Sequence, residues 1–292
     1  MDTIAALQRL ASPTLDGVML FVTDLGSQEA YTVFLVLAYL ALDASFGRRL
    51  GVTFLLGAYA NDLVKVVVAA PRPFEVDPSV LRTGAAATAP GSSFPSGHAQ
   101  AATTFWLLTA RFVERGWAWL LAGALIVLVS LSRVYLGVHY PRDVLAGVAL
   151  GLVVVLAAAF VTRLALSPGK AAVVALGALA PLALHLLVTT PDSHVLLSAV
   201  SAFVVGPELI VHRAKGGVVT RLLMGLVGVA LVAAVMLTTS LVLSEELKRG
   251  ALTSYLRYLV IALTGTVVAP LACRALRLSG GPVVAAGGAR RP

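Results

Sequence analysis

The residues capable of chemistry gather in three short strings of an otherwise apolar chain. The strings are Lys65–Pro73, Pro95–His98 and Ser132–Asp143. Each lies where a long apolar stretch ends or begins. These strings therefore hold the candidates for a functional site.

Three cations are the first shared feature of the strings. Lys65 and Arg133 fall within or at the edge of apolar helical stretches, and Arg72 follows shortly after one. An ionised side chain in such a stretch is costly unless it faces a partner or a cavity, which makes it a functional candidate. The planar donors of arginine match phosphate oxygens. The three cations therefore predict an anion site.

The second string predicts further donors for that anion. Ser96 and Gly97 follow a proline and open an apolar helical stretch, where unpaired backbone N–H groups attract anions. Gly97 lets a ligand approach the backbone closely. Together with the cations, these features describe a site for a tetrahedral dianion such as phosphate.

Two histidines complete the candidate set. His139 and Asp143 are four residues apart near the start of a helix, a spacing that can bring the carboxylate beside the imidazole. The carboxylate would fix the tautomer of His139 and stabilise positive charge on its ring. An oriented histidine beside an anion site is a candidate nucleophile, and His98 is then available as a general acid.

Zinc coordination is a competing interpretation of the same residues. Two histidines and one aspartate are acceptable zinc ligands. However, three cations around the same point oppose a divalent metal, and the sequence contains neither an HExxH motif nor a cysteine pair. We therefore expect no metal and no cofactor.

The elements that must position these residues are membrane helices. The 292-residue chain is 59% hydrophobic and only 12% charged, whereas a soluble domain carries about 25% charged residues. A membrane span needs about 20 apolar residues. We predict an all-α transmembrane bundle with nine spans, at 26–42, 50–69, 97–112, 118–136, 142–162, 171–189, 194–211, 219–243 and 253–273.

The charges predict the orientation of this bundle. More than half of the 22 Lys and Arg residues lie in alternate loops and the C-terminal tail. The positive-inside rule then places the C-terminus in the cytoplasm, and the N-terminus and all three strings outside it. The membrane topology explains the excess of basic residues. The sequence shows no pattern of alternating aromatic and basic residues, so no nucleic-acid partner is expected.

We divide the chain into four regions. Residues 1–25 are expected to form an interfacial amphipathic helix, with Ile4, Leu7, Leu10 and Ala11 on one face. The candidate site falls within 26–189. Additional membrane helices occupy 190–278, and 279–292 is a Gly-, Ala- and Arg-rich tail expected to be disordered.

The three strings resemble the KxxxxxxRP, PSGH and SRxxxxxHxxxD pattern of the type 2 phosphatidic acid phosphatase superfamily. The resemblance covers residues 35–165 and implies a phosphatase core in spans one to five or six. It implies that His139 attacks phosphorus to form a phosphohistidine, that Asp143 orients it, and that His98 protonates the leaving oxygen. The phosphoryl oxygens would be held by Lys65, Arg72, Ser96, Gly97 and Arg133.

The expected function is hydrolysis of a lipid phosphate at the extracytoplasmic membrane surface, where a lipid can enter laterally from the bilayer. Candidate substrates are undecaprenyl pyrophosphate, phosphatidic acid and phosphatidylglycerol phosphate. The alternatives are a soluble sugar phosphate, as for glucose-6-phosphatase, and a non-catalytic lipid-handling protein or transporter. A haloperoxidase shares the superfamily site but ranks last, because the known members resemble soluble proteins. The oligomeric state is not predicted.

Overall fold

The structure, a computed structural model, describes residues 1–163 and 169–279, and its regular elements are helices. This confirms the predicted all-α class. The helices are α1 (Asp2–Gln8), α2 (Pro13–Asp24), α3 (Gln28–Leu37), α4 (Ala44–Val68), α5 (Pro73–Val76), α6 (Gly97–Val113), α7 (Gly116–Tyr135), α8 (Pro141–Arg163), α9 (Lys170–Leu187), α10 (Ser193–Leu209), α11 (Val218–Val242), α12 (Glu245–Arg249), α13 (Ala251–Leu263) and α14 (Ala269–Ala275). The predicted tail lies almost entirely outside the described residues.

The membrane-spanning elements are fewer by length and composition than the nine predicted. Among the described residues, six helical stretches are long and apolar enough to cross a bilayer: α4 with α5, α7, α8, α9, α11, and α13 with α14. The bent pair of α2 and α3 adds a seventh if it counts as one span. Helices α6 and α10 have only 17 residues each. The chain is an integral membrane protein, but the count of nine is not confirmed.

The chain divides into two compact units, which group its residues differently from the predicted regions. The first contains residues 1–31 and 57–166, and the second contains 32–56 and 167–292. The boundaries fall within α3 and α4, so each of these helices contributes residues to both units. All three strings belong to the first unit.

In the first unit, α6 packs against both α7 and α8. Small residues allow the close approach of α8. A Cβ atom at Gly147 would overlap the carbonyl oxygen of Ser96, and one at Gly151 would lie 2.6 Å from the Cβ of Thr103. The start of α6 is thus pressed against the first turns of α8, which brings the second and third strings together.

The N-terminal residues form two helices instead of the single amphipathic helix expected. Ser12 caps α2 by accepting a hydrogen bond from the Leu15 N–H, and Pro13 occupies the first helical position, where no N–H is needed. Ile4 is fully buried in a cluster with Val80 and three other apolar residues. The start of the chain therefore belongs to the core of the first unit, although Leu10 of the predicted face is exposed.

The polar interval between α4 and α6 is anchored to its surroundings. It contains α5 and two short 3₁₀ turns, at Pro78–Val80 and Ala85–Thr88. Arg82 pairs with Asp16 of α2 at 2.7 Å, and the hydroxyl of Tyr135 donates to the same carboxylate at 2.6 Å. These contacts connect the loop to α2 and α7.

In the second unit, α10 packs between α9 and α13, and α11 packs against the π-helical turn Ala38–Leu42 and against α14. His185 is buried there. Its ring nitrogens lie 2.9 Å from the Ser193 hydroxyl and 3.0 Å from the Ala251 carbonyl oxygen. Both ring nitrogens of His185 therefore have hydrogen-bond partners within the second unit, and His185 is not part of the three strings.

Candidate active site

All eight predicted site residues lie in the first unit, and each is positioned by a helix end. Lys65 is in the last turn of α4, Arg72 precedes α5, Ser96, Gly97 and His98 open α6, Arg133 is in the last turn of α7, His139 lies in the following turn, and Asp143 is in the first turn of α8. Helix ends carry free backbone groups and allow the chain to turn, so polar side chains from distant segments can converge there.

His139 lies between a carboxylate and a guanidinium. Its side chain is only 1% exposed, with Nδ1 3.6 Å from Oδ2 of Asp143 and Nε2 3.2 Å from Nη1 of Arg72. Because arginine can only donate, Nε2 must accept, which leaves the ring proton on Nδ1, facing Asp143. The lone pair of Nε2 is therefore the nucleophilic position of this ring.

Burial lowers the pKa of His139 well below its ordinary value of 6.5. The contact with Asp143 opposes this shift, while the charges of Arg133, Arg72 and Lys65 reinforce it. The ring is consequently neutral at neutral pH, as a nucleophile must be.

Asp143 is itself held by two donors. Its Oδ2 atom accepts a hydrogen bond from the Ser93 hydroxyl at 2.6 Å and one from the Tyr140 N–H at 2.9 Å. Ser93 is fully buried and also lies 3.5 Å from Nδ1 of His139. The sequence reasoning missed Ser93, although its position two residues before Pro95 was an available signal.

The loop before α6 supplies carbonyl oxygens to two of the cations. Lys65 donates to the Ser92 carbonyl at 2.5 Å. Arg72 is 2% exposed and donates to the carbonyls of Pro90, Gly91, Ser92 and Val138. These bonds hold the first string against the loop before the second string and against the third string. A carbonyl oxygen carries no full charge, so a substrate anion would not have to displace a carboxylate from these cations.

Arg133 is held from a different direction. Its Nη1 atom donates to the hydroxyls of Thr23 and Thr88 at 2.5 and 2.9 Å, and Nη2 donates to the Thr88 carbonyl. Its Nε atom is buried without a hydrogen-bond partner. Both threonines were missed by the sequence reasoning, and Thr23 lies 110 positions away with no local pattern to indicate it.

The start of α6 has the form of an anion cradle. Ser96 caps the helix by accepting from the Ala99 N–H at 3.4 Å, and its own N–H donates to the Asp143 carbonyl at 2.9 Å. A Cβ atom at Gly97 would meet nothing closer than 3.5 Å. That distance, to Oδ1 of Asn61, is an ordinary contact, so no protein atom requires a glycine there, and the missing side chain lets a ligand approach the backbone of this turn.

His98 follows directly in the same turn. Its ring lies against Gly26, where a Cβ atom would come within 3.1 Å of its Cδ2 atom. His98 is also close enough to Arg133, His139, Lys65 and Arg72 to feel their charges. The structure therefore brings the second histidine to the same cluster of cations, and Gly26 leaves the room for its ring.

Within residues 1–163 and 169–279, no group of three or more His, Cys, Asp and Glu side chains is arranged to hold a metal ion. The charged groups around His139 consist of three cations and the single carboxylate of Asp143. Such a donor set favours an anion over a divalent cation.

Two family models match this chain. The PAP2 superfamily model covers residues 46–165, which include all eight predicted site residues, and the model of the PAP2 superfamily phosphatase transmembrane extension covers 193–281. The second match covers helices α10 to α14. The two regions together account for most of the chain.

Among the relatives, an undecaprenyl-diphosphatase of Sulfolobus acidocaldarius is 36% identical over 143 residues, covering 47% of this chain and 66% of the relative. Phosphatidylglycerophosphatase B of Bacillus subtilis is 42% identical over 69 residues, covering 20% and 34%. The alignments thus span less than two thirds of either relative. A solved PAP2-type phosphatidylglycerolphosphate phosphatase from B. subtilis is 26% identical with a TM-score of 0.46, covering 55% of this chain and 82% of the other. The family models place the three strings within one known pattern: the chain carries a PAP2 superfamily domain at residues 46–165 and the transmembrane extension of PAP2 superfamily phosphatases at residues 193–281.

Proposed function

We propose that this protein hydrolyses a phosphate ester or diphosphate of a membrane lipid, with His139 as the nucleophile. The observation that carries the proposal is the position of the His139 ring. Its Nδ1 atom faces Asp143, and its Nε2 lone pair faces the guanidinium of Arg72, with Arg133 and Lys65 close enough for their charges to act on the ring.

Substrate binding would begin at the cations. In the structure, Arg72 donates to Nε2 of His139. A phosphoryl oxygen that accepts from Arg72 in place of Nε2 frees the lone pair and brings the phosphorus atom within its reach. Arg133 offers its unpaired Nε, and the open turn at Gly97 offers backbone N–H groups. Phosphoryl transfer depends mostly on such positioning and electrostatic stabilisation.

The reaction would then proceed in two displacements. Nε2 of His139 attacks phosphorus, the P–O bond to the leaving group breaks, and His98 gives its proton to the leaving oxygen. Asp143 stabilises the charge that develops on the imidazole. In the second step, water attacks the phosphohistidine while His98 accepts its proton. The P–N bond breaks, and phosphate and the original protonation states are recovered.

We further propose that this reaction needs no metal. A divalent cation commonly neutralises the charge that develops during phosphoryl transfer. Lys65, Arg72 and Arg133 can supply the same neutralisation from fixed positions, while their own charges would repel a metal ion.

A lipid substrate at the extracytoplasmic surface accounts for the position of the site. The site residues lie at the ends of apolar helices. The ends of membrane-spanning helices are where a lipid headgroup would be met. The basic loops predict that this side faces away from the cytoplasm. The relatives are named for undecaprenyl diphosphate and phosphatidylglycerophosphate. These two lipids, together with phosphatidic acid, are the substrate candidates for this chain.

Phosphate release from these lipids by the purified protein in EDTA is the direct test. We expect wild type to be active and His139→Ala to lose about 10³-fold or more, because the nucleophile is absent. His194→Ala, which alters a histidine of the second unit, is the matched control and should retain activity. Loss of wild-type activity in EDTA that added metal restores would refute metal independence.

The same assay separates the alternatives. Preference for glucose 6-phosphate over every lipid would support the soluble sugar phosphate instead. A non-catalytic lipid-handling protein would bind lipid equally well with and without His139 and release no phosphate.

A further inference from the structure

One polar side chain next to the site has no assigned role and no hydrogen-bond partner for its donor. Asn61 is 2% exposed, and its Nδ2 atom is buried without a partner. Buried amide groups are nearly always hydrogen-bonded, because an unpaired donor destabilises the folded state. An unpaired amide that persists in a buried position therefore needs an explanation.

The position of Asn61 points to the phosphate site. It lies one helical turn before Lys65, on the same face of α4. Its Oδ1 atom lies 3.5 Å from the position that a Cβ atom would take at Gly97, and the Cε atom of Lys65 lies 3.9 Å from that same point. The carboxamide and the lysine stem therefore border the same first turn of α6, where backbone N–H groups have no partner within the helix.

Two of the neighbouring donor residues already have hydrogen-bond partners in the protein. Lys65 and Arg72 are bonded to loop carbonyls. The Nδ2 atom of Asn61 has no such bond, and neither has Nε of Arg133. An amide is also a suitable donor here, because it adds a hydrogen bond without adding a fourth positive charge to three cations that already repel one another.

We propose that Asn61 is a further phosphate-binding residue, whose carboxamide turns about its Cβ–Cγ bond so that Nδ2 replaces Oδ1 beside Gly97 and donates to a phosphoryl oxygen held at Gly97 and Lys65; the turn breaks no bond of Nδ2, which has no partner. The inference rests on the proposed phosphatase function. It assigns to Asn61 a neutral donor on the side of the site formed by α4, in addition to the cations and the N–H groups of α6.

The test uses variants of nearly equal size in the full-length, detergent-purified protein. Asn61→Leu removes the donor and keeps the volume. Asn61→Asp keeps the shape but replaces the amide with an acceptor that repels phosphate. The probes are inhibition by orthovanadate, which mimics pentacoordinate phosphorus, and kcat/KM for a lipid phosphate.

We expect Asn61→Leu to raise the inhibition constant of orthovanadate and to lower kcat/KM, each by about 10- to 100-fold, as for loss of a hydrogen bond to a charged group. Asn61→Asp should be more damaging. Asn61→Leu should also unfold at a higher temperature than wild type, because it removes an unpaired buried donor. Activity and stability would then move in opposite directions.

Gln100→Leu is the matched control, because Gln100 is a buried amide between the same two helices but donates to the Thr104 hydroxyl at 3.0 Å. It should lower the unfolding temperature and leave the orthovanadate inhibition constant within about twofold. If Asn61→Leu behaves like Gln100→Leu, Asn61 is structural and the inference is wrong. If wild type neither releases phosphate nor binds orthovanadate, it is the proposed function that fails.

Discussion

At the scale of single residues, the site is a set of opposed electrostatic demands on one imidazole. In the proposed mechanism, His139 must be neutral to attack phosphorus and positively charged immediately afterwards. Burial and the surrounding cations favour the neutral ring, and Asp143 favours the charged one. The incoming phosphate tips this balance, because its negative charge offsets the cations when the imidazolium forms.

The pH dependence of kcat/KM follows from this arrangement. Because the pKa of His139 in the free protein is well below 6.5, the ring stays neutral as the pH falls from 7 through about 5.5. The acid limb attributable to His139 should therefore lie below pH 6.5. The limb that reports loss of the proton from His98 should also be shifted to lower pH, because burial and the nearby cations lower the pKa of His98 in the free protein. Two substrates whose phosphate groups ionise differently serve as the control. A common acid limb centred near 6.5 would show that His139 is protonated in the free enzyme and contradict this assignment.

Ser93 should act on the reaction through Asp143. Removing its 2.6 Å hydrogen bond in Ser93→Ala leaves Oδ2 of Asp143 with the Tyr140 N–H, and the carboxylate should then orient His139 less well. We expect kcat to fall about tenfold, consistent with about 1.5 kcal/mol for a bond to a charged group, with little change in KM.

Steady-state kinetics of Ser93→Ala and Ser132→Ala make the comparison. Ser132 is equally buried but donates only to the Val129 carbonyl of its own helix, so its removal should leave kcat within about twofold. Equal losses of kcat in the two variants would show that Ser93 has no special role in orienting Asp143.

At the scale of elements, the first turns of α6 and α8 form one structural unit. The Ser96 N–H donates to the Asp143 carbonyl, and Gly147 lies directly against the Ser96 carbonyl. The cradle at α6 and the carboxylate on α8 are thus positioned together. A shift between the two helices would change the anion site and the orientation of His139 at once.

Gly147→Ala tests this dependence. The added Cβ would overlap the Ser96 carbonyl oxygen, so α6 must move away from α8. We expect a loss of about 1–3 kcal/mol in stability, as for overpacking, and at least a tenfold loss of kcat/KM. Gly123→Ala in α7 is the control, since a Cβ there meets nothing within 4 Å and alanine favours the helix. Unchanged stability and activity in Gly147→Ala would contradict this view of the contact.

At the scale of the whole molecule, the chain is an integral membrane protein whose orientation stays a prediction. The alternating basic loops predict that the loop containing Ser79 lies outside the cytoplasm and that Arg115, between α6 and α7, lies inside. Both positions are exposed, and the single native cysteine, Cys273, is fully buried. Cysteine labelling can therefore report on each side separately.

In intact cells, a membrane-impermeant maleimide should label Ser79→Cys but not Arg115→Cys, and both should react after the membrane is opened. The wild-type protein, with only Cys273, measures the background. Labelling of Arg115→Cys alone in intact cells would reverse the orientation and place the site on the cytoplasmic side.

Much of the site could be predicted because its spacing is local. The four-residue separation of His139 and Asp143, the cap at Ser96 and the proximity of Lys65 to the end of α4 follow from helix geometry alone. The helices themselves follow from long apolar runs. The resemblance to a family pattern added chemical roles, which the geometry accommodates.

By itself, the sequence determined the helical class, the membrane environment and the three strings, because apolar runs and short spacings are properties of neighbouring residues. Only the tertiary structure decided which ring nitrogen of His139 faces the cations, that Ser93 bonds to Asp143, and that Thr23 holds Arg133. It also moved Ile4 from an expected interfacial position into the core. These contacts join segments far apart in the chain, and their partners are chosen by packing, which leaves no periodic signal in either segment.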